Sequence, residues 1–447
     1  MLVTILAFLF ILAFSITIHE FGHFLVAKLF KIPVEKFSIG YGPPLVRKKI
    51  GETDFRIAYF PLGGYVKIAG EEEGELTDKV PTEIQGSESG DKAREAIEGA
   101  RATDKILGFY DAPIYKRVLI VLAGPLFNII SAFFVLIISL SAFGILEVPY
   151  LNIIVEEGGL AAQAGIQTAD SILAVAGQNV KDWNSFVAAL EQHQGDTVVV
   201  GLMRKRTRYE KQLFVNLDSL GIEPLIPPVL GVLKLDGPAY KAGMKQGDRV
   251  LQIDGQKVAN WNEMVERVRE SGGAPLQFVW VHEGNTIQET LEPDLLYDES
   301  SKDSIWQIGV IMPLERRHIP IASVVSISAQ EGVNLIWLTL KTVYQLVIGR
   351  ISRRALGGPI AIFRLSGESV RWGFEYLLRL LAIISINLGL INLFPIPVLD
   401  GGHVVISLIE AVRRKRFSRR TRMVIQQIGY AIILLLIVFV TFNDITR

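Results

Sequence analysis

"SITIHEFGHFLVAK", Ser15 to Lys28, sets two histidines and a glutamate inside an apolar run long enough to cross a membrane. Ionisable side chains are expensive in hydrocarbon and persist there only when buried, paired or bound. On a helix His19 and His23 lie one turn apart on one face, where two imidazoles can grip one Zn²⁺. Glu20 stands beside them, placed to take a proton from water at that metal. Five-residue motifs recur by accident, but this chain has only six histidines and two fall together in one apolar helix. The competing interpretation is a polar cluster hydrogen-bonded between helices.

Working outward, 447 residues allow two to four domains. Half the residues are apolar and 21% are charged, a mixture that suits membrane segments alternating with soluble domains. Formal net charge is zero, so bulk electrostatics predicts no nucleic-acid partner. The absence of cysteine excludes disulfides, thiolate nucleophiles and Cys-ligated zinc. Four stretches meet the roughly 20-residue length needed to span a bilayer: 1–30, 116–146, 372–399 and 424–443. The first lacks a basic leading segment and is too long for a cleavable signal peptide, so a retained helix is expected.

Orientation follows from basic residues in short loops. "RRKRFSRRTR" (Arg413–Arg422) fixes the link between spans three and four in the cytoplasm. Parity then sends the long connection after span two outside, together with both chain ends. The loop 31–115, opening with Lys31, Lys36 and Arg47–Lys49, agrees by being cytoplasmic. It contains a β-type segment, "TDFRIAYFPLGGYVKIAG", and an acidic insertion near 71–112 expected to be solvated or flexible. The apolar stretch 320–350 carries Glu331, Asn334 and Lys341. A fifth span there would invert the basic loop, so an amphipathic helix on the membrane surface is expected.

The outer connection is internally duplicated. "GGLAAQAGIQTADSILAVAGQNVKDWNSF" from Gly158 aligns without gaps on "DGPAYKAGMKQGDRVLQIDGQKVANWNEM" from Asp236, at a shift of 78 residues. Gly165 pairs with Gly243, Asp170 with Asp248, Gly177 with Gly255 and Trp183 with Trp261. A fixed period over Gly, Asp and Trp positions means two copies of one module. Each has short strands, turn glycines and one helix, and the pattern resembles a tandem pair of bacterial PDZ domains, 148–225 and 226–315. Copy one has Ala169 and Ala176 where the signature prefers Gly and Asp. Such grooves capture an extended chain as an added strand; spacer modules without a ligand are the alternative. The fold class is therefore a polytopic α-helical membrane protein with four transmembrane helices and two inserted α+β PDZ-like domains on the outer side.

A hydrolytic zinc needs three protein ligands and one open position. His19 lies about 27 Å along the first span at roughly 1.5 Å per residue, toward its inner end. The third span also runs inward and ends in "NLGLINLFPIPVLDGGH", bringing Asp400 to the same depth. His403 is the rival third ligand. Pro395 and Pro397 cannot continue a helix and free backbone groups within the membrane, which is tolerated only around protein or a wet cavity. Asn392 just upstream could hold a substrate carbonyl or a developing oxyanion.

The HExxH motif, "GPLFN" (Gly124–Asn128), "NLFPIPVLDGG" and the outer PDZ pair together resemble the site-2 intramembrane zinc metalloproteases of the M50 type, in particular the RseP-like branch. The resemblance covers nearly the whole chain. It implies zinc ligands His19, His23 and Asp400, Glu20 as general base, and a substrate cleft shaped by Asn392, Pro395 and Pro397. It also implies that Gly63, Gly64, Tyr65, Val66 and Lys67 hold the unwound substrate as an edge strand. Implied partners are single-span membrane proteins, such as an anti-sigma factor and remnant signal peptides, trimmed first outside the membrane. The implied location is the bacterial inner membrane, with the PDZ pair extracytoplasmic. A zinc transporter would need polar groups spread across the bilayer, and an inactive PDZ scaffold would have no use for Glu20.

Overall fold

The computed structural model describes residues 1–70, 108–298, 303–350 and 357–445. The acidic insertion, as far as residue 107, lies outside the described residues. The chain divides into two compact units, Met1–Leu140 with Ile321–Arg447, and Ser141–Pro320.

The first unit is built from α1 (Leu2–Leu29), strands β1 (Val34–Ile50) and β2 (Thr53–Ile68), and six further helices. These are α2 (Ile114–Phe143), α3 (Ile321–Val347), α4 (Pro359–Trp372), α5 (Phe374–Asn392), α6 (Asp400–Arg413) and α7 (Arg419–Ile445). Among the described residues α1, α2, α3, α5 and α7 are long and apolar enough to cross a membrane. Their exposed faces carry Leu6, Phe10, Phe134, Ile138, Leu434 and Leu435, a composition that suits lipid rather than water.

Helix directions can be read from paired contacts. Ser15 of α1 is hydrogen-bonded to Ser385 of α5 at 3.1 Å, and His19 meets Asn392 farther along both helices, so the two run parallel. On α2 the order reverses, because His23 meets Ile120 and His19 meets Asn128. Glycine permits the close approach. A Cβ on Gly22 would lie 2.5 Å from the Ala123 carbonyl oxygen, and one on Gly389 would lie 2.8 Å from that of Pro125. Small residues that bring backbones together are a principal means of packing helices in lipid.

The helix expected on the membrane surface over 320–350 instead runs lengthwise beside α5. Glu331 pairs with Arg379 at 3.7 Å, and the Thr339 hydroxyl donates to Asn387 at 2.8 Å. Both contacts advance by eight residues on each helix, so α3 and α5 are parallel. Glu331, which seemed to require water, finds its partner on α5 instead. Helix α4 returns antiparallel to α1, with Phe363 on Phe8 at 5.5 Å and Gly367 against Thr4. Its N-terminus is capped by the buried Asp444 carboxylate, which accepts from the backbone N–H groups of Gly358, Ile360 and Ala361. The donors orphaned at a helix start are thereby satisfied.

The β segment doubles on itself. Residues Val34–Ile39 lie between two stretches of β2, Asp54–Ile57 on one side and Gly64–Ile68 on the other, while Val46–Ile50 pairs back onto Thr53–Ile57. The Gly64–Ile68 stretch is thus an outermost strand, and Gly64 packs onto α1 at Ile16 and Glu20.

In the second unit the 78-residue period becomes two equivalent modules. Each is a four-stranded antiparallel sheet with one main helix, Trp183–Glu191 or Trp261–Glu270. The helix starts match: Asp182 accepts from Ser185 N at 2.7 Å, and Asn260 accepts from Glu263 N at 2.9 Å. Phe186, Leu190 and Leu202 fill one core, and Phe278, Trp280 and Met264 fill the other. The second module inserts an additional hairpin, Asp294–Asp298 with Asp303–Gln307. At the two positions where copy one departs from the signature the backbone is the same: Ala169 (φ 72°) matches Gly247 (φ 93°), and Ala176 (φ 47°) matches Asp254 (φ 49°). Alanine in this left-handed region costs about 1–2 kcal/mol, so copy one tolerates strain that copy two avoids at Gly247.

Paired Asp170 and Asp248 are held differently. Burial alone would raise the Asp170 carboxyl, but Arg204, the Tyr209 hydroxyl and Gln167 N hold it below its ordinary value. Asp248 is bonded instead to His282, at 2.6 Å.

Candidate metal centre

Three segments converge on one point. Helix α1 presents His19 and His23 from consecutive turns. Helix α2 backs them, and Gly124 is what allows this, because a Cβ there would lie 2.3 Å from His23 Nε2 and 2.9 Å from His19 Cε1. The third segment is the break between α5 and α6. Helix α5 stops at Asn392, ahead of Pro395 and Pro397, and Val398 adopts φ 108°, a conformation rare for a β-branched residue. That turn delivers Asp400 as the first residue of α6. Gly401 and Gly402 let α6 nest against it, since Cβ atoms there would each lie 2.2 Å from the carbonyl oxygens of Leu393 and Ile396. Farther along α6 the buried Glu410 accepts from Arg117 of α2 at 3.1 Å and Arg422 of α7 at 2.8 Å. The helix carrying Asp400 is therefore anchored to its two neighbours.

His19 Nε2 lies 3.2 Å from His23 Nε2 and 3.0 Å from Asp400 Oδ2, and His23 Nε2 lies 3.6 Å from Asp400 Oδ1. A tetrahedral ion with bonds of roughly 2.0–2.1 Å separates its ligands by about 3.3 Å, so the donor spacing fits zinc. Proton bookkeeping agrees. His23 Nδ1 lies 2.8 Å from the Ile120 carbonyl oxygen, which only accepts, so Nδ1 carries the hydrogen and neutral His23 presents a bare lone pair at Nε2. A lone pair aimed at a carboxylate and a second imidazole repels both unless a proton or a metal cation lies between them. Among the described residues His19, His23 and Asp400 form the one group of three or more such side chains close enough to hold a metal ion.

The other expected residues gather around this centre to different degrees. A cavity of about 260 Å³ is lined by the histidines, Glu20 and Asp400, together with Tyr65, Val66, Asn392 and His403. His403 borders the cavity outside the ligand cluster. Asn392 Nδ2 is 3.5 Å from both ring nitrogens of His19. Of the strand residues, Tyr65 stacks on Tyr41 and Lys67 faces Glu35 at 3.7 Å. A Cβ on Gly64 would lie 3.3 Å from Glu20 Cγ, and one on Gly63 would strike the Tyr41 ring. Pro395 and Pro397 build the turn and lie outside the cavity lining. Sequence reasoning missed Gly22, Gly124 as a spacer, and the Ile120 carbonyl. Pro125 inside α2, five residues beyond Ile120, was the available sign that this stretch of backbone is unusual.

The donor set suits a zinc hydrolase centre, and it is set among membrane-type helices. Comparison with known proteins agrees and gives the family. The chain belongs to peptidase family M50, whose model matches residues 7–436. It is 33% identical over 469 residues to the regulator of sigma-E protease RseP of Salmonella typhimurium, covering 99% of this chain and 98% of that protein. A Haemophilus influenzae regulator of sigma E protease is 31% identical over 468 residues, with the same coverage. A Vibrio cholerae protein named "Putative zinc metalloprotease" is 32% identical over 474 residues, again covering 99% and 98%. Solved PDZ domains of SdrC-like proteins from Listeria monocytogenes and Listeria innocua each match 20% of the chain. Their identities are 17% and 19% and their TM-scores are 0.17, too slight a likeness to carry the PDZ assignment, which rests on the duplicated modules themselves. The chain is a zinc metalloendopeptidase of the site-2 type.

Proposed function

We propose that this protease cuts within the transmembrane helix of single-span membrane proteins, such as an anti-sigma factor and remnant signal peptides, after a first trimming cleavage outside the membrane. The convergence of His19 and His23 of α1 with Asp400, delivered by the turn after the parallel helix α5, carries the reading. The substrate class draws on relatives named as regulators of sigma-E protease.

His19, His23 and Asp400 would hold zinc, which when bound supplies a Lewis acid that polarises the scissile carbonyl and acidifies water. Glu20 faces the same cavity. Its carboxylate accepts the proton of the attacking water as the new C–O bond forms, and delivers it to the amide nitrogen as the C–N bond breaks. The Asn392 amide, at the cavity wall, is placed to donate to the developing oxyanion. Substrate carbonyls in a helix are tied up in internal hydrogen bonds, so local unwinding precedes attack. The outermost Gly64–Ile68 stretch offers replacement backbone partners beside Glu20, with Gly63–Lys67 as the docking segment; this offsets part of the unwinding cost.

The orientation is the one that basic loops favour: both chain ends and the PDZ pair outside, Arg413–Arg422 inside, in the bacterial inner membrane. Five apolar helices fit four crossings if α3 descends beside α5 and α4 returns beside α1, so that this pair enters and leaves on one face. The PDZ pair would then act as a filter against untrimmed substrates. Because the chain has no cysteine, single-cysteine variants report topology cleanly. An impermeant maleimide applied from outside should label Lys205→Cys in intact cells and Lys415→Cys only after lysis; the reverse pattern would invert the scheme.

The direct test uses purified protein and a single-span model peptide. Stripping metal with a chelator should abolish cleavage, and stoichiometric zinc should restore it. Cleavage by metal-free protein at an undiminished rate would refute the mechanism.

A further inference from the structure

Asn128 lies on α2 with its side chain fully buried, and its amide faces His19. Its Nδ2 is drawn 3.3 Å from His19 Nδ1, while its Oδ1 is buried with no partner among the described residues. The two ends of an amide are nearly indistinguishable by shape, so the hydrogen-bond network must decide which end points where. His19 offers Nε2 to the cluster with His23 and Asp400. A neutral imidazole that uses Nε2 as a ligand carries its hydrogen on Nδ1, and that hydrogen needs an acceptor. With Nδ2 facing it, two donors meet and the amide oxygen is left unpaired. With the amide turned by half a rotation, Oδ1 accepts from Nδ1–H and the conflict disappears. Asn392 is a poor substitute, being 3.5 Å from both ring nitrogens at once.

We infer that Asn128 is a positioning residue: its side-chain oxygen accepts the His19 Nδ1 hydrogen and so fixes the tautomer and ring angle that direct Nε2 to the metal. The inference rests on the zinc-centre reading given under the proposed function. The two histidines are then oriented by the same helix in two ways, His23 by the backbone carbonyl of Ile120 and His19 by the side chain of Asn128. Outer partners of this kind are generally worth about 10–100-fold in metal affinity.

The experiment measures zinc affinity by chelator competition, and thermal melting of the metal-free form, for the full chain in detergent. Asn128→Leu keeps the volume and removes the acceptor; it should bind zinc about 10–100-fold more weakly while melting within a few degrees of the wild type. Asn128→Asp can only accept, and it should restore affinity to within about threefold of the wild type, as carboxylate–histidine–zinc arrangements do. If Asn128→Leu does not fold, Asn128→Ala, which also lacks an acceptor, carries the same expectation. Wild-type affinity in the leucine or alanine variant would overturn the inference. So would an aspartate variant as weak as leucine, which would mean that the amide acts as a donor or as packing. Wild-type protein that binds no zinc would instead overturn the metal centre itself, a result distinct from either.

Discussion

Glu20→Gln is expected to slow cleavage of a transmembrane peptide by about 10²–10⁴-fold, the range typical of a lost general base, while zinc content stays at the wild-type value. The substitution keeps the side chain's size and removes only its capacity to take a proton. It should leave metal binding intact because the donor atoms grouped to hold an ion are those of His19, His23 and Asp400. Glu20 stands one position from the first ligand, against Gly64 of the outermost strand, where an unwound substrate would pass. Cleavage within tenfold of the wild type would remove Glu20 from proton transfer. Loss of zinc would make it a ligand. The same variant separates the reading from its rivals, since a transporter or a PDZ scaffold would work as before.

Gly124→Ala should be nearly as damaging, for a steric reason. Alanine ordinarily strengthens a helix interior by about 1 kcal/mol relative to glycine, so propensity offsets part of the clash and the metal-free protein should lose less melting temperature than zinc affinity. Yet the added methyl would lie 2.3 Å from His23 Nε2 and 2.5 Å from Cε1. The ring has no easy retreat, because its other nitrogen is bonded to the Ile120 carbonyl. Displacing a reacting group by about 1 Å costs on the order of 10²-fold in rate, and zinc affinity should fall with it. Gly22→Ala is the instructive contrast. Its methyl would meet the backbone of Ala123 at 2.5 Å, pushing α1 from α2 and lowering the melting temperature as well. Full zinc occupancy and activity in Gly124→Ala would show that the imidazoles have more room than their contacts suggest.

These contacts show where the sequence was legible and where it was not. The pairing of His19 and His23 was readable because two residues four apart share a helix face, a matter of local geometry alone. Asp400 could be brought to the same depth by counting spans and preferred over His403, but the turn at Val398 that delivers it, with a φ of 108°, is announced by no residue pattern. The duplicated modules were plain from their period, because Gly, Asp and Trp recur at matched turns and helix starts. The additional strand pair, Asp294–Asp298 with Asp303–Gln307, lies beyond the aligned stretch and escaped notice. Helix α3 was expected on the membrane surface because a fifth span would invert the basic loop, and no residue pattern announced that Glu331 finds Arg379 on α5. The β segment alternated as a strand should, but alternation could not reveal that one strand is flanked twice by the same partner. Least legible of all were groups without a side chain: the Ile120 carbonyl and the empty spaces at Gly22 and Gly124.

The Ile120 carbonyl has a consequence for how the two imidazoles tolerate mutation. A peptide oxygen is supplied by nineteen of the twenty residue types in the same place, and by proline as well wherever the helix survives it. His23 is therefore steadied by something that genetic drift at position 120 can scarcely remove. His19 depends on the chemical identity of its neighbour at position 128, so one half of the clasp is robust by construction and the other is exposed to a single codon change.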